Sequence, residues 1–160
     1  MPESLAVIDL DGQSLRYTDA SGEAHSYPVS TSRFGPGEEE GSFKTPRGLH
    51  EIHAKIGADC PAGTVFVGRR DTGEIYSDEL ARENPERDWI LTRILWLSGL
   101  EPGINKDGRV DTMRRYIYIH GMPDSEPCGV AASIGCVRMR NTDIIDFFDR
   151  VDVGTRVKIV

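Results

Sequence analysis

Cys136 sits in the run Ser133-Ile134-Gly135-Cys136-Val137-Arg138, downstream of a His120-Gly121 pair that ends an apolar stretch. A thiol, an imidazole and a guanidinium gathered by one loop are the parts of a cysteine acyl-transfer site. Cys136 becomes nucleophilic when a neighbouring base or cation favours its thiolate, and His120 is the base, or imidazolium partner, within reach of that loop. Gly135 lets the backbone approach a substrate closely, and the amides around Gly135 and Cys136 are positioned to face a developing oxyanion. Ser133 either hydrogen-bonds in the loop or shapes its turn. Arg138 suits two-pronged binding of an anionic substrate group, anchoring of the loop, or an ordinary ion pair. Tyr118 either lines the pocket or serves the core. The plainer alternatives are a buried, inert cysteine and a hydrogen-bonded core histidine; the joint presence of Cys136, His120, Gly135 and Arg138 speaks for chemistry.

The elements that must hold these residues are mostly strands. Tyr116 to Ile119 reads as a buried strand delivering His120, and Leu5 to Tyr17 as two short strands around the Asp11-Gly12 turn signal. Leu49 to Ile56, Gly63 to Gly68 and Arg156 to Val160 read as further strands, and Gly35 to Gly41 as a loop. In the middle, Asn84 as cap, Pro85, and Ile90, Ile94 and Leu97 at helical spacing predict one substantial helix to about Ser98, stopped by Gly99. Asn141 is expected to cap a short helix through Phe148. The chain carries no repeat or linker and reads as one domain over residues 1–160.

The segment from His120 to Met139 resembles the signature of the L,D-transpeptidase (YkuD-type) catalytic domain family, roughly His-Gly-Thr, a loop, then Ser-His-Gly-Cys-(Ile/Val)-Arg. Tyr27 to Ser32, Thr45 to Ile52, Arg115 to Gly121 and Gly154 to Ile159 are similar to other family strands, so the resemblance runs from about Leu5 to Val160. It implies a mainly β fold, a mixed β-sandwich with the catalytic loop at one edge of the sheets, and a Gly121 carbonyl that orients His120. It implies, too, enzymes that act on peptidoglycan stem peptides or muropeptides through a thioester on Cys136. After loss of D-alanine from stem position four, an amine acceptor gives a three-to-three cross-link and water gives a trimmed tripeptide. Two departures stand out: Ile134 replaces the family's usual second His, and Met122 its usual Thr. A peptidoglycan-binding module that has lost catalysis is the alternative from another class.

With 160 residues the chain can bury about 70% of its unfolded surface as one domain. A net charge of −7 without a Lys/Arg cluster argues against nucleic acid as a partner. Leu5 to Ile8 is too short for a signal-peptide core or a membrane span, and a chain starting at Met1 without a tag is expected in the cytoplasm, or in the periplasm if an export segment has been removed. Cys60, Cys128 and Cys136 lack ligand or disulfide spacing. His50 and His53 fall on opposite faces of a strand, and His25 is isolated, so no metal and no cofactor are expected. Oligomeric state is open. The leaning is to L,D-carboxypeptidase action on recycled tetrapeptides, with L,D-transpeptidation the close alternative.

Overall fold

The computed structural model describes residues 3–160, and strands dominate it. β1 (Leu5–Asp9) and β2 (Ser14–Thr18) alternate, so that Ala6, Ile8, Leu15 and Tyr17 turn inward while their neighbours meet solvent. β2 pairs antiparallel with β3 (Ala24–Pro28), and β1 pairs parallel with the last strand, β10 (Arg156–Ile159). β10 leads antiparallel to β4 (Gly48–Ile56), and β4 to β7 (Ile90–Gly99). β7 also pairs with β5 (Thr64–Val67), which forms a hairpin with β6 (Arg70–Ile75), and with β8 (Tyr118–Gly121). β8 runs parallel to β9 (Val137–Met139).

The chain beyond β3 meets β9, the end of the branch that leaves β7 through β8. Ser30, just beyond β3, exchanges backbone hydrogen bonds with Arg138 of β9: its N–H donates over 2.9 Å, and it accepts over 2.8 Å. The mixed sheet thus curls until the chain beyond β3 meets β9 and the loop before it, through bridges at Ser30–Arg138 and Ser32–Ser133. Its inward residues from β1, β2, β4, β7, β8, β9 and β10 share a core with Ile144, Phe147 and Phe148 of α2 (Asn141–Arg150). The Phe147 ring meets those of Tyr17 and Tyr27 at centroid separations of 5.7 and 5.9 Å.

The mainly β class with two helices stands, but the helices lie elsewhere than expected. The stretch read as a helix to Ser98 is β7. That strand is covered on both faces, Leu95 and Leu97 by the main core and Ile94 by a smaller cluster with Phe66 and Tyr118. Leu91, Thr92, Arg93, Ile94 and Leu95 are buried consecutively, so the period-two signal is erased. Thr92, at φ 75°, sits where the β7–β8 register slips between Leu91 and Ile94, which breaks the alternation again. Ile90, Ile94 and Leu97 match helical spacing only by coincidence. The true helix nearby is α1 (Asp78–Glu83), opened by Ser77, whose Oγ accepts from Leu80 N–H at 3.0 Å, and ended rather than begun by Asn84. The longer helix is α2; Arg140 occupies its cap position, and Asn141 is its first residue.

Candidate active site

The parallel pairing of β8 and β9 sets His120 opposite Arg138 and Ile119 opposite Val137. Pleating then puts Tyr118 and His120 on the same face as Cys136 and Arg138. A strand order that no local spacing reveals therefore brings the thiol and imidazole to neighbouring strands.

Gly121 accepts a hydrogen bond from His120 Nδ1 at 2.6 Å. A carbonyl oxygen only accepts, so Nδ1 carries the proton and Nε2 presents a lone pair. Among the described residues nothing hydrogen-bonds the buried Nε2. Gly121 fits because a Cβ there would lie 2.5 Å from Leu91 O and 3.0 Å from Thr92 Cβ. Asn141 braces the same point: it donates to Met122 O at 2.9 Å and accepts from Thr92 Oγ1 at 2.6 Å.

Cys136 Sγ accepts from Tyr118 N–H at 3.3 Å and lies 3.5 Å from Tyr116 O, to which the thiol donates. Burial pushes the Cys136 thiol up to about 12; the Tyr118 N–H opposes this, the Asp88 charge reinforces it, and Arg138 and Arg115 oppose it. Burial also holds His120 below the usual imidazole range, against Asp88 and the Gly121 carbonyl. Both groups are therefore neutral at rest, and the thiol proton points at Tyr116 rather than at Nε2.

The loop before Cys136 is tied down. Ser133 Oγ donates to Cys136 O at 2.5 Å and accepts from Gly135 N–H at 3.2 Å. The Gly135 amide, one of the two expected to face an oxyanion, is thus engaged inside the loop. Thr45 Oγ1 donates to Gly135 O at 3.0 Å. Gly135 adopts φ 130°, a left-handed conformation suited to glycine, and a Cβ there would press within 3.3 Å of Ile117 Cδ1. Ile134 reaches the surface beside it.

Arg138 donates to Asp88 at 2.9 Å and lies 3.8 Å from Glu126, with little exposure of its own. Of the roles expected for it, anchoring fits this arrangement better than binding a free anion. The Tyr118 hydroxyl accepts from Arg69 Nη1 at 2.9 Å. Asp88, Asn141, Thr92, Thr45 and Arg69 are the participants that sequence reading misses; all but Asn141 come from segments remote from the Cys136 loop, and Asn141, five residues after Cys136, carries a local signal misread as a cap. His25, isolated in sequence, lies 3.5 Å from Asp19, whose carboxylate also accepts from the Ser21 and Glu23 amides of the same turn. His50 and His53 part as expected: His50 is buried against Thr112, and His53 packs on Trp96.

A curled, mainly β sheet with a His on one of two adjacent parallel strands and a Cys at the entry to the other is the class that fold and site define. The model of the YkuD L,D-transpeptidase catalytic domain matches residues 3–159, and the chain belongs to that family. Over 46 residues it is 48% identical to the probable L,D-transpeptidase ErfK/SrfK of Salmonella typhimurium and 46% identical to the probable L,D-transpeptidase YbiS of Escherichia coli. Each match covers 29% of this chain and only 15% of the relative. An L,D-transpeptidase from Mycobacterium smegmatis superposes with a TM-score of 0.61 at 21% identity, over 99% of this chain and 58% of that one. L,D-transpeptidase 3 from Mycobacterium tuberculosis, in complex with a faropenem-derived adduct, gives 0.59 at 15% identity, over 99% and 60%. These likenesses concern the fold. Among the described residues no helix is long and apolar enough to cross a membrane.

Proposed function

We propose that this domain is a cysteine acyl-transfer enzyme of peptidoglycan metabolism. It cleaves the bond between the L-centre of the third stem residue and the following D-alanine, with water as the acceptor. The observation that supports this most is the shared face of β8 and β9, where an imidazole with a free Nε2 lone pair on β8 stands beside a main-chain-held thiol on the residue that leads into β9.

Attack of Cys136 Sγ on the scissile carbonyl forms the C–S bond as the thiol proton passes to His120 Nε2. The Cys136 main-chain N–H is the oxyanion donor in this scheme. Collapse breaks the C–N bond, and Nε2 returns the proton to the departing D-alanine amine. Water then attacks the thioester, gives a proton to Nε2, and the thiol is restored by that proton. Gly121 fixes the imidazole tautomer, Ser133 holds the loop, Arg138 anchors β9, and the Tyr118 N–H steadies the sulfur.

Water as acceptor requires nothing beyond His120 Nε2, which takes its proton as it takes that of the thiol. This reading goes with soluble muropeptides in a cytoplasmic recycling role. Cross-linking, with a periplasmic setting, is the second reading, favoured by the names of the curated relatives. The test is mass spectrometry of disaccharide-tetrapeptide incubated with wild-type and Cys136→Ala protein. Loss of one D-alanine, without dimers and only with Cys136 present, is expected. Dimers with little tripeptide would establish the second reading, and no Cys136-dependent change would remove both.

A further inference from the structure

The β5–β6 hairpin turns on Gly68 and Arg69, both in the left-handed region, with φ 57° and 65°. Such a two-residue turn ordinarily takes Asn, Asp or Gly, and a long side chain at that backbone is strained. Arg69 is held there by aromatic surface. Its guanidinium lies 4.7 Å from the Trp96 ring centroid and 4.8 Å from that of Tyr116, and Nη1 donates to Tyr118 Oη. Tyr116 is itself strained, at φ 56°.

Both tyrosines reach Cys136 through their main chains: Tyr118 N–H and Tyr116 O are the hydrogen-bond partners of Sγ. Arg69 therefore stands one tyrosine side chain from the thiol. Three arginines surround this site, and two are committed. Arg138 is paired with Asp88 and Glu126. Arg115 donates to Gly37 O, Lys44 O and Ser42 Oγ. Among the described residues Arg69 has no carboxylate within ion-pair distance, and Tyr118 Oη is its one hydrogen-bond acceptor. A planar cation with most of its N–H fork unused, fixed by stacking beside a nucleophile, is built to receive a carboxylate.

We propose that Arg69 forms the carboxylate subsite of this enzyme, binding a substrate carboxylate next to the scissile carbonyl. This rests on the reading of the site as acting on stem peptides. Two carboxylates on the residues that flank the scissile bond have this chemistry: the C-terminal one on the leaving D-residue, and the side-chain one of a diaminopimelate at position three. The first would confine cleavage to chain ends. The second would select the third residue.

The experiment is calorimetric titration of Cys136→Ala protein, with Arg69 intact or changed to Gln or Lys. The ligands are the tetrapeptide, its C-terminal amide, and the tetrapeptide with lysine at position three. Arg69→Gln is expected to weaken the parent tetrapeptide about tenfold or more, as befits loss of a charge-assisted pair. Arg69→Lys is expected to lose less, keeping the charge without the fork. The analogue that Arg69→Gln no longer affects identifies which carboxylate is bound. Equal weakening of all three ligands would mean that Arg69 only shapes the wall, and unchanged affinity or no binding of the parent would equally overturn the proposal. Cys136-dependent D-alanine release with Arg69-insensitive binding removes the subsite and leaves the function. Arg69-dependent binding without turnover by the wild type does the reverse.

Discussion

The resting state of Cys136 makes a quantitative demand on its reactivity. With the thiol pushed up to about 12 by burial, the thiolate fraction at neutral pH is about one in a hundred thousand. An unperturbed cysteine, with a pKa of about 8.5, is about 3% thiolate there, roughly three thousand times more. The more basic thiolate is intrinsically more nucleophilic by about 40-fold for a Brønsted slope of about 0.45. The balance leaves Cys136 alkylated by iodoacetamide about a hundredfold more slowly than a cysteine in the unfolded chain. Peptide-resolved mass spectrometry of timed labelling, folded against denatured protein, measures this ratio.

Restricted access lowers the labelling rate by the same factor at every pH, so the pH slope is the stronger readout. The Cys136 rate is expected to climb about tenfold per pH unit from neutrality to about pH 10, without levelling off. Asp88→Asn removes a charge that raises the thiol pKa and frees Arg138, which lowers it, so this variant is expected to label faster. His120→Gln is expected to leave iodoacetamide labelling within a few-fold while suppressing acylation by a carbapenem, a reaction that needs the proton removed during attack. A plateau already reached near pH 7–8, at a rate above the unfolded control, would show a standing thiolate–imidazolium pair and refute the neutral-pair reasoning.

His50 carries a separate pH signature. It is fully buried between Gly48 O and Thr112 Oγ1, and burial lowers its pKa to about 4. Because the folded value lies below the unfolded one of about 6.5, the unfolded state gains the proton first as pH falls; stability is intact above about 6.5, declines toward 4, and at pH 4.5 is lower by about 2–3 kcal/mol. Urea titrations at pH 7.5 and 4.5 should show this loss in the wild type and a smaller one in His50→Gln; equal losses would discard the assignment. Gly121→Ala would force a Cβ against Leu91 O, which is main chain and cannot rotate away. It is expected to cost about 1–3 kcal/mol and, by shifting the carbonyl that fixes His120, to depress turnover further than stability. Thermal melts beside kcat check this; a stable variant with full activity would show that the crowding is relieved cheaply.

The parts of the fold that sequence reveals are those whose signals are local. β1 and β2 alternate around a turn, so Ala6 and Ile8 declare the inward face without any partner strand. β4 and β10 are legible for the same reason, and β5, buried at Thr64, Val65 and Phe66 in succession, by its β-branched residues. β7 is not, because both its faces are covered, one by the main core and the other by the smaller clusters around Val65, Phe66 and Tyr118. The missed α1 does carry a signal, Ser77 followed by Asp78 and Glu79, but its six residues bury nothing, so no apolar periodicity draws attention to it. β6, the outermost strand on its side, is equally silent, with none of its residues buried.

The site divides along the same line. The residues around Cys136 are close in sequence, and their motif singles out His120 and Cys136, though not the parallel strand pairing that joins them. Asp88, whose charge acts on that pair, and Arg69, which holds the Tyr118 hydroxyl, come from the segment before β7 and from the β5–β6 turn; the first reaches the site by pairing with Arg138, and the second by crossing Trp96. Neither has a sequence neighbour that announces it. An acidic side chain before a Trp and an arginine in a turn look like ordinary surface residues until the curled sheet brings both to the thiol. That is also why Arg138 is easily misjudged. Two residues after a nucleophile, it looks like the substrate's partner, yet the fold surrounds it with Asp88 and Glu126 and leaves the unpaired cation on a different hairpin. Position along the chain selects the reacting atoms, whereas the charge that greets the substrate is decided by which loops the sheet closure brings together.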